Sequence, residues 1–346
     1  VLKLSQFSRI LIISIAFAAC FNAGAAQTTD TTQNQSGKKD VEIIASDYLK
    51  FQEVNGKRIT KLVGNVELKQ EGMLMWCDSA NLDKETNSVD AWGNVHINQD
   101  TVNAWSDYMR YDGNKKIAML QGHAKLTDSK MKLFTDELFY DTQKKLSYYY
   151  TGGRLLKDST VIVSQKGYYY HSPKDAFFQG DVHITDPNYK LLSDTLKYNT
   201  ETKISTFYGC TEIFNKQSRI LCDNGWYDSK RDLSAFGEHT VIVNPPQTLF
   251  SDSLYYERSK GFGRAFGPFQ WIDSSMTTEI FGQYGEYSDH RQYIMSTIKP
   301  LLIYKMDKDS LFLTADTLKS MTRSETDTVR TFFAYHHARM FMKNMQ

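Results

Sequence analysis

Apolar and polar residues alternate with a period of two along most of this chain, in blocks of roughly ten residues separated by turn-forming runs. Val89, Ala91, Gly93, Val95 and Ile97 fall on one face of such a block, and Trp105, Met109 and Tyr111 on one face of the next. The alternate positions, Asn94, His96 and Asn98 or Ser106, Tyr108 and Arg110, are mostly polar. Residues two apart share a side of a strand, so the pattern predicts strands with one apolar and one wet face. Asn98-Gln99-Asp100, Asp112-Gly113-Asn114-Lys115, Thr127-Asp128-Ser129 and Asp141-Thr142-Gln143-Lys144 lie between blocks, so each strand should meet the next through a tight reversal.

The blocks are of two kinds, and both recur about every 29 residues. One opens on glycine, as in Gly64-Asn65-Val66-Glu67-Leu68, Gly93-Asn94-Val95-His96-Ile97, Gly180-Asp181-Val182-His183-Ile184 and Gly209-Cys210-Thr211-Glu212-Ile213. Its glycine falls at Gly64, Gly93, Gly122, Gly153, Gly180, Gly209, Gly237 and Gly267, then degenerates to Lys299 and His336. The other reads Asp-x-Leu-x-Tyr-Asp, as at Asp107 to Asp112, Asp136 to Asp141 and Asp194 to Asn199, and returns at Asp47, Asp78, Asp223, Asp252 and Asp316. Gly167 and Gln283 break it, which gives ten copies of each kind.

The spacing sets each glycine opposite an aspartate on both neighbouring strands, so the two form a seam along the stack. Interior glycine in a strand marks a bend. Every strand is therefore expected to fold across the seam Gly64, Gly93, Gly122, Gly153, Gly180, Gly209, Gly237, Gly267 with Asp78, Asp107, Asp136, Asp194, Asp223 and Asp252, giving two sheet walls in a V or flattened jelly roll. The parity of the aspartates points inward, where an unpaired carboxylate is costly. They should accept backbone N–H bonds at the bend or be turned outward by a bulge.

Composition fits an all-β chain: there are 21 Tyr and 20 Phe but only 6 Pro. Charge is balanced, with 41 Lys and Arg against 40 Asp and Glu, so no nucleic-acid footprint is expected. Lys3 and Arg9, the apolar run Ile10 to Phe21 and the small residues Ala23 to Ala26 predict a secretory signal over residues 1–26. Phe17-Ala18-Ala19-Cys20 is similar to a lipoprotein cleavage site, with Phe in place of the usual Leu, which makes Cys20 a candidate for lipidation. Residues 27–43 begin with a polar run and are expected to form a flexible linker; residues 44–346 form the repeat domain.

Other chemistry is sparse. No local cluster of acid and base suggests catalysis, and no cofactor or metal site is expected, because ion ligands cluster in short loops and zinc needs Cys or His partners at ligand spacing. His96, His123 and His183 take outward positions. Gly261-Phe262-Gly263-Arg264-Ala265-Phe266-Gly267 has the spacing of a dinucleotide loop, but no helix pattern follows, so it reads as a repeat junction. Cys210 and Cys222 lie beside Gly209 and Asp223 and are candidates for a cross-strand disulfide in an oxidising compartment; Cys77 has no partner and reads as a buried thiol.

The Gly-Asn-Val-x-Ile and Asp-x-Leu-x-Tyr-Asp pair resembles the OstA-like proteins of lipopolysaccharide transport, a family that includes the periplasmic bridge LptA and the N-terminal periplasmic part of LptD, over residues 44–346. The resemblance implies an elongated β-jellyroll, or β-taco, in the periplasm, associated with outer-membrane biogenesis. It implies a protein that shields lipid A acyl chains inside the V while the sugar stays in water. Each methylene removed from water contributes roughly 0.8 kcal/mol, so an apolar lane offsets the cost of carrying a chain across an aqueous space. Carried onto this sequence, the lane is lined by Val66, Leu68, Leu82, Val95, Ile97, Met109, Tyr111, Leu126, Leu138, Tyr140, Val182, Ile184, Leu196, Tyr198, Tyr227, Leu254 and Tyr256. Any one of these could instead pack a closed core. The alternative to a lipid carrier is a structural or carbohydrate-binding cell-envelope solenoid, which would place its aromatic rings outside.

The segment Phe332 to Met340 matches a degenerate glycine half without the aspartate half that should follow, and position 1 is Val rather than Met, so the chain is expected to stop inside a repeat. An uncapped edge is a template for strand pairing. The expected partners are other jellyroll transport proteins, or copies of this chain joined head to tail.

Overall fold

The computed structural model describes residues 39–346, apart from 55, 216–217, 289–292, 308, 323–329 and 343–346. The expected signal 1–26, Cys20 and most of the expected linker lie outside the described residues. Order is present by Val41, which is buried and donates its N–H to Asn87 Oδ1 at 2.9 Å. Strand follows at Glu42–Ala45, two residues before the expected domain start.

The fold is all-β: 26 strands in one sheet, antiparallel throughout, with a single short 3₁₀ turn at Arg258–Lys260 and no helix long and apolar enough to cross a membrane among the described residues. Fourteen strands run straight through a bend, and the other twelve form six collinear pairs broken at it, such as Leu146–Tyr149 with Gly153–Lys157. The result is twenty bent rungs, the ten pairs of halves counted in the sequence. At about 4.8 Å per strand the stack is roughly 90 Å long.

Each rung changes register at its middle. The strand Ser88–Gln99 pairs with Val102–Asp112 as Ser88↔Asp112 to Trp92↔Tyr108, skips, and resumes as Val95↔Ser106 to Gln99↔Val102. The halves before and after the skip belong to two walls. We call the wall containing Ser88 to Trp92 and Tyr108 to Asp112 the first, and that containing Val95 to Ser106 the second. Among the described residues no other layer covers this sheet, yet Leu62, Leu82, Val89, Leu120 and Leu138 are 0% exposed. The sheet is therefore folded on itself, and the core lies between its walls.

Two consecutive left-handed residues make the bend: Gly64 and Asn65, Gly93 and Asn94, Gly122 and His123, Gly180 and Asp181. The first is glycine because a Cβ there would run into the facing side chain, an aspartate at Gly64, Gly93 and Gly122 and Gln165 at Gly180; at Gly122 it would lie 2.6 Å from Asp107 Oδ2. Gly209 and Gly267 are left-handed at the expected positions, but at two rungs the seam moves by one residue. Gly152 rather than Gly153 is left-handed, Gly153 being held against the Tyr149 ring, and Glu238 with His239 replaces Gly237.

The bulge also turns the seam aspartates outward, which resolves the cost of burying them. Asp78 accepts from Asn94 Nδ2 at 2.9 Å, and Asp107 and Asp223 bond His123 Nδ1 and His239 Nδ1 at 2.7 Å. On the aspartate half the bulge shifts parity by one residue. Val102, Ala104 and Ser106 point inward before it and Met109 and Tyr111 after it. Trp105 is thus on the outer face, contrary to the alternation, stacked on His96 at 4.9 Å. Ser106 is inside, bonded to the Tyr108 carbonyl at 2.8 Å. His96 is sandwiched between Trp76 and Trp105 rather than freely solvated.

Candidate functional site: the space between the walls

The free edges of the walls are rows of turns, and the sequence builds the first-wall row in a fixed way. The last residue of the aspartate motif closes its own turn: Asp112 Oδ1 accepts the N–H groups of Asn114 and Lys115, and Asp141 those of Gln143 and Lys144. Each turn ends on a left-handed residue, Lys116, Lys145, Lys174, Lys203, Asp232 and then Gly261. Through Asp232, the carbonyl of that residue accepts an N–H from the next turn, as in Thr142 N to Lys116 O at 2.9 Å. The turns stack, and the left-handed side chains are presented in a row.

That row faces the second wall. Lys116 Nζ bonds Glu71 Oε1 at 2.7 Å, Lys145 bonds Asp100 at 2.6 Å, Lys174 bonds Asp128 at 2.5 Å and Lys203 pairs with Asp158 at 2.8 Å. Just inside, the motif tyrosines cross the same gap with a constant separation of 41 residues: Tyr111 donates to Gln70 Oε1, Tyr140 to Gln99 Oε1 at 2.6 Å and Tyr169 to Asp128 Oδ2 at 3.0 Å. Gln70 also reaches across to the Gly113 carbonyl at 3.0 Å. Burial pushes the Tyr111, Tyr140 and Tyr169 hydroxyls well above their ordinary pKa, so they act as neutral donors. In this stretch the lips of the V are clasped.

The densest clasp is centred on Asp128, whose side chain is 0% exposed. Burial alone would raise its carboxyl. Hydrogen bonds from His171, Lys174, Thr101 and Tyr169 outweigh that and hold it below the usual carboxylate range. His171 Nδ1 lies 3.1 Å from Asp128 and its Nε2 2.8 Å from Ser147 Oγ, a hydroxyl–imidazole–carboxylate line with the connectivity of a hydrolase triad. Ser147 is fully buried, so no substrate carbonyl can reach it, and the line works as a strut between walls.

Val66, Leu68, Leu82, Val95, Ile97, Met109, Tyr111, Leu126, Leu138, Tyr140, Val182, Ile184, Leu196, Tyr198 and Leu254 all face inward and are buried. They do not line one uniform lane. Up to Ile184 the inner side chains are near zero exposure, so no water-sized space touches them. Beyond it a cavity of about 240 Å³ runs between the walls, lined from Tyr189 and Leu191 through Ile213, Ile220, Phe236, Ile242, Leu249, Leu254 and Phe269 to Trp271 and Ile294. It crosses eight rungs, roughly 34 Å at 4.8 Å per strand, and is a slot rather than a chamber. Tyr227, Leu254 and Tyr256 are the expected lane residues that line it. Its polar members, Asn215, Ser218, Ser234, Asn244, Gln247, Arg258 and Glu286, lie toward the wall edges and the last rungs.

Most of the lining was missed because the motif reading followed glycine and tyrosine signatures. Leu191, Ile242 and Leu249 have the right parity but sit in the second wall at motif positions that vary, whereas Ile213 holds the motif position of Ile97 and Ile184 and was legible. Tyr111, Tyr140 and Tyr198 face inward, the opposite of a carbohydrate platform.

The cysteines differ from the expected pair. Cys77, Cys210 and Cys222 are free thiols, and the register sets Cys222 opposite Thr211, leaving Cys210 exposed in the bulge and Cys222 inside. Burial pushes the Cys77 thiol up to about 11 and the Cys222 thiol up to about 12, which leaves both unreactive. No group of three or more His, Cys, Asp or Glu arranged to hold a metal occurs among the described residues. At Gly261 strand follows, Phe262–Asp273, and no helix.

Among solved structures, the chain is similar to LptH, described as the LptA homologous periplasmic component of the conserved lipopolysaccharide transport device from Pseudomonas aeruginosa. The similarity is at 15% identity over 32% of this chain and 81% of that one, with a TM-score of 0.29. No curated protein matches. The OstA-like protein family model matches residues 38–194, which takes in the clasped stretch except Lys203 and ends within the first rung of the slot. The same bent rungs carry on beyond the match as far as Met342. Over residues 38–194, somewhat less than half of its length, the chain is similar to the OstA-like protein family.

Proposed function

We propose that this protein is a periplasmic, non-enzymatic carrier of lipopolysaccharide on its way to the outer membrane, and that it holds acyl chains in the slot between Tyr189 and Ile294. The slot carries the reading: it is long, narrow, apolar within and polar toward its edges, the shape of a hydrocarbon tail whose head remains in water. The similarity of residues 38–194 to the OstA-like protein family supports the choice of lipid. An amphiphile gains roughly 0.8 kcal/mol for each methylene moved into such a space.

The ends of the stack supply the partner reading. The first strands, Glu42–Ala45 and Tyr48–Val54, expose Ile44, Tyr48, Leu49 and Phe51, and the last, Arg330–Tyr335 and Arg339–Met342, expose Phe333, Tyr335, Met340 and Phe341. Edge strands with apolar side chains favour strand addition. The partners are other jellyroll stacks of the same transport route, or a second copy of this chain.

A photo-crosslinking amino acid at Phe236 or Leu254 should capture lipopolysaccharide, and one at Leu120, in the clasped stretch, should not. Capture from Leu120 alone, or from the outward Asn94 and Asp181 but not from Phe236 and Leu254, would refute the assignment.

A further inference from the structure

The clasp and the slot occupy successive stretches of one repeat series, and the boundary between them can be read in single residues. Lys116, Lys145, Lys174 and Lys203 each pair with a carboxylate 45 or 46 residues upstream. The next member of the row, at the same left-handed backbone position, is Asp232, and 46 residues upstream of it stands Asp186. Two carboxylates cannot clasp. The member after that is Gly261, which has no side chain to offer. The tyrosine series changes one repeat earlier: its crossing bonds end at Tyr169, and Tyr227, the counterpart of Tyr169 two repeats on, donates to Asp232 on its own wall at 3.0 Å instead of across the gap. The slot begins with the rung that starts at Lys190 and includes Tyr227 and Arg258.

We infer that the charge inversion at Asp232 is a built-in lateral opening: the walls are latched from Glu71 to Lys203 and free to part from Asp232 onward, so that an acyl chain passes sideways between the lips into the slot rather than threading along the axis. Axial passage toward the first rungs is blocked by packed side chains and by the Asp128 cluster, whereas the lips of the slot lack the lysine–carboxylate clasp at Asp232 and Gly261. The inference deepens the acyl-chain reading and rests on it for the identity of what enters. The parting of the lips is a property of the protein alone.

Asp232→Lys tests it, because lysine already occupies that backbone position four times in the row and would face Asp186. Asp232→Asn is the control for loss of the negative charge, and Asp232→Lys combined with Asp186→Asn removes the new pair. Hydrogen exchange of the lipid-free protein should be faster at the rim amides of Arg258 and Tyr189 than at those of Thr142 and His171. Asp232→Lys should slow the first two about two- to fivefold, the range an exposed ion pair supplies. Labelling of the slot by a diazirine-bearing palmitate should slow by a similar factor in Asp232→Lys, and return to the rate of Asp232→Asn in the double variant. Equal exchange at the two sets of amides, or an Asp232→Lys variant that exchanges and labels like Asp232→Asn, overturns the lateral opening. If the exchange contrast holds but palmitate never labels Phe236, Leu254 or Ile294, the acyl-chain reading fails and the opening stands.

Discussion

At each bend a pair of left-handed residues carries the turn, and the side chain of the first decides what it costs. Gly122→Ala would place a Cβ 2.6 Å from Asp107 Oδ2 at a φ of +76°, and the strain of a left-handed alanine alone is about 1–2 kcal/mol. Chemical denaturation should show a loss of at least that size. Ile298 is the converse case: a β-branched residue at φ 60°, 59% exposed, in a copy where the glycine has degenerated. Ile298→Gly should be neutral or stabilise by up to about 1 kcal/mol, since relief of strain there outweighs a small loss of contact. A large destabilisation by Ile298→Gly would mean that the bend is held by that side chain rather than by backbone geometry. Glycine recurrence was visible in the sequence, but the one-residue displacement of the seam at Gly152 and at Glu238 was not. It depends on which ring or carboxylate the neighbouring rung brings up.

Individual rungs and their clasps behave as units with a defined pH response. His171 is buried, and desolvation lowers its pKa in spite of Asp128 beside it, so the fold holds the neutral ring. A depressed folded pKa contributes stability that is complete above the unfolded value, about 6.5, and is lost as pH falls toward the folded one. Asp128, also depressed, adds a second loss beginning below its unfolded value of about 3.9. The denaturation midpoint should therefore fall between pH 7 and pH 5, and His171→Gln should flatten that fall while lowering the plateau. An unchanged slope in His171→Gln would mean that another group titrates there. Asp128→Ala, which strips the counter-charge from Lys174 and the acceptor from His171 and Tyr169, should cost about 3–5 kcal/mol. None of this was legible beforehand, because the partners are 41 to 46 residues apart and meet only when two walls close.

Over the whole stack, the division between sealed and hollow stretches predicts different responses to the same truncation. Leu120→Ala, at 0% exposure in the clasped part, should cost about 3–5 kcal/mol. Leu254→Ala, beside an existing cavity, should cost distinctly less, since part of its surroundings is already space. Enlarging the same site, Leu254→Trp, should be tolerated and should reduce capture of lipid at Phe236. Equal costs for the two alanine variants would show that the slot collapses in solution. At the ends, Phe341→Lys should weaken self-association or docking to another jellyroll, measured by light scattering across a range of concentration, because a charged edge resists strand addition.

The sequence by itself determined the repeat, the two halves, the number of rungs and the inward direction of Val66, Leu138, Leu196 and Leu254, since period-two alternation and turn chemistry act over a few residues and are written in order along the chain. Only the tertiary structure decided that Trp105 faces out and Ser106 in, because a bulge shifts parity without changing composition. Only it decided where the lane is closed and where it is open. That depends on Lys203 finding Asp158, and on Asp232 standing where lysine stands in the four preceding turns, across a gap whose sides are brought together by folding the whole sheet.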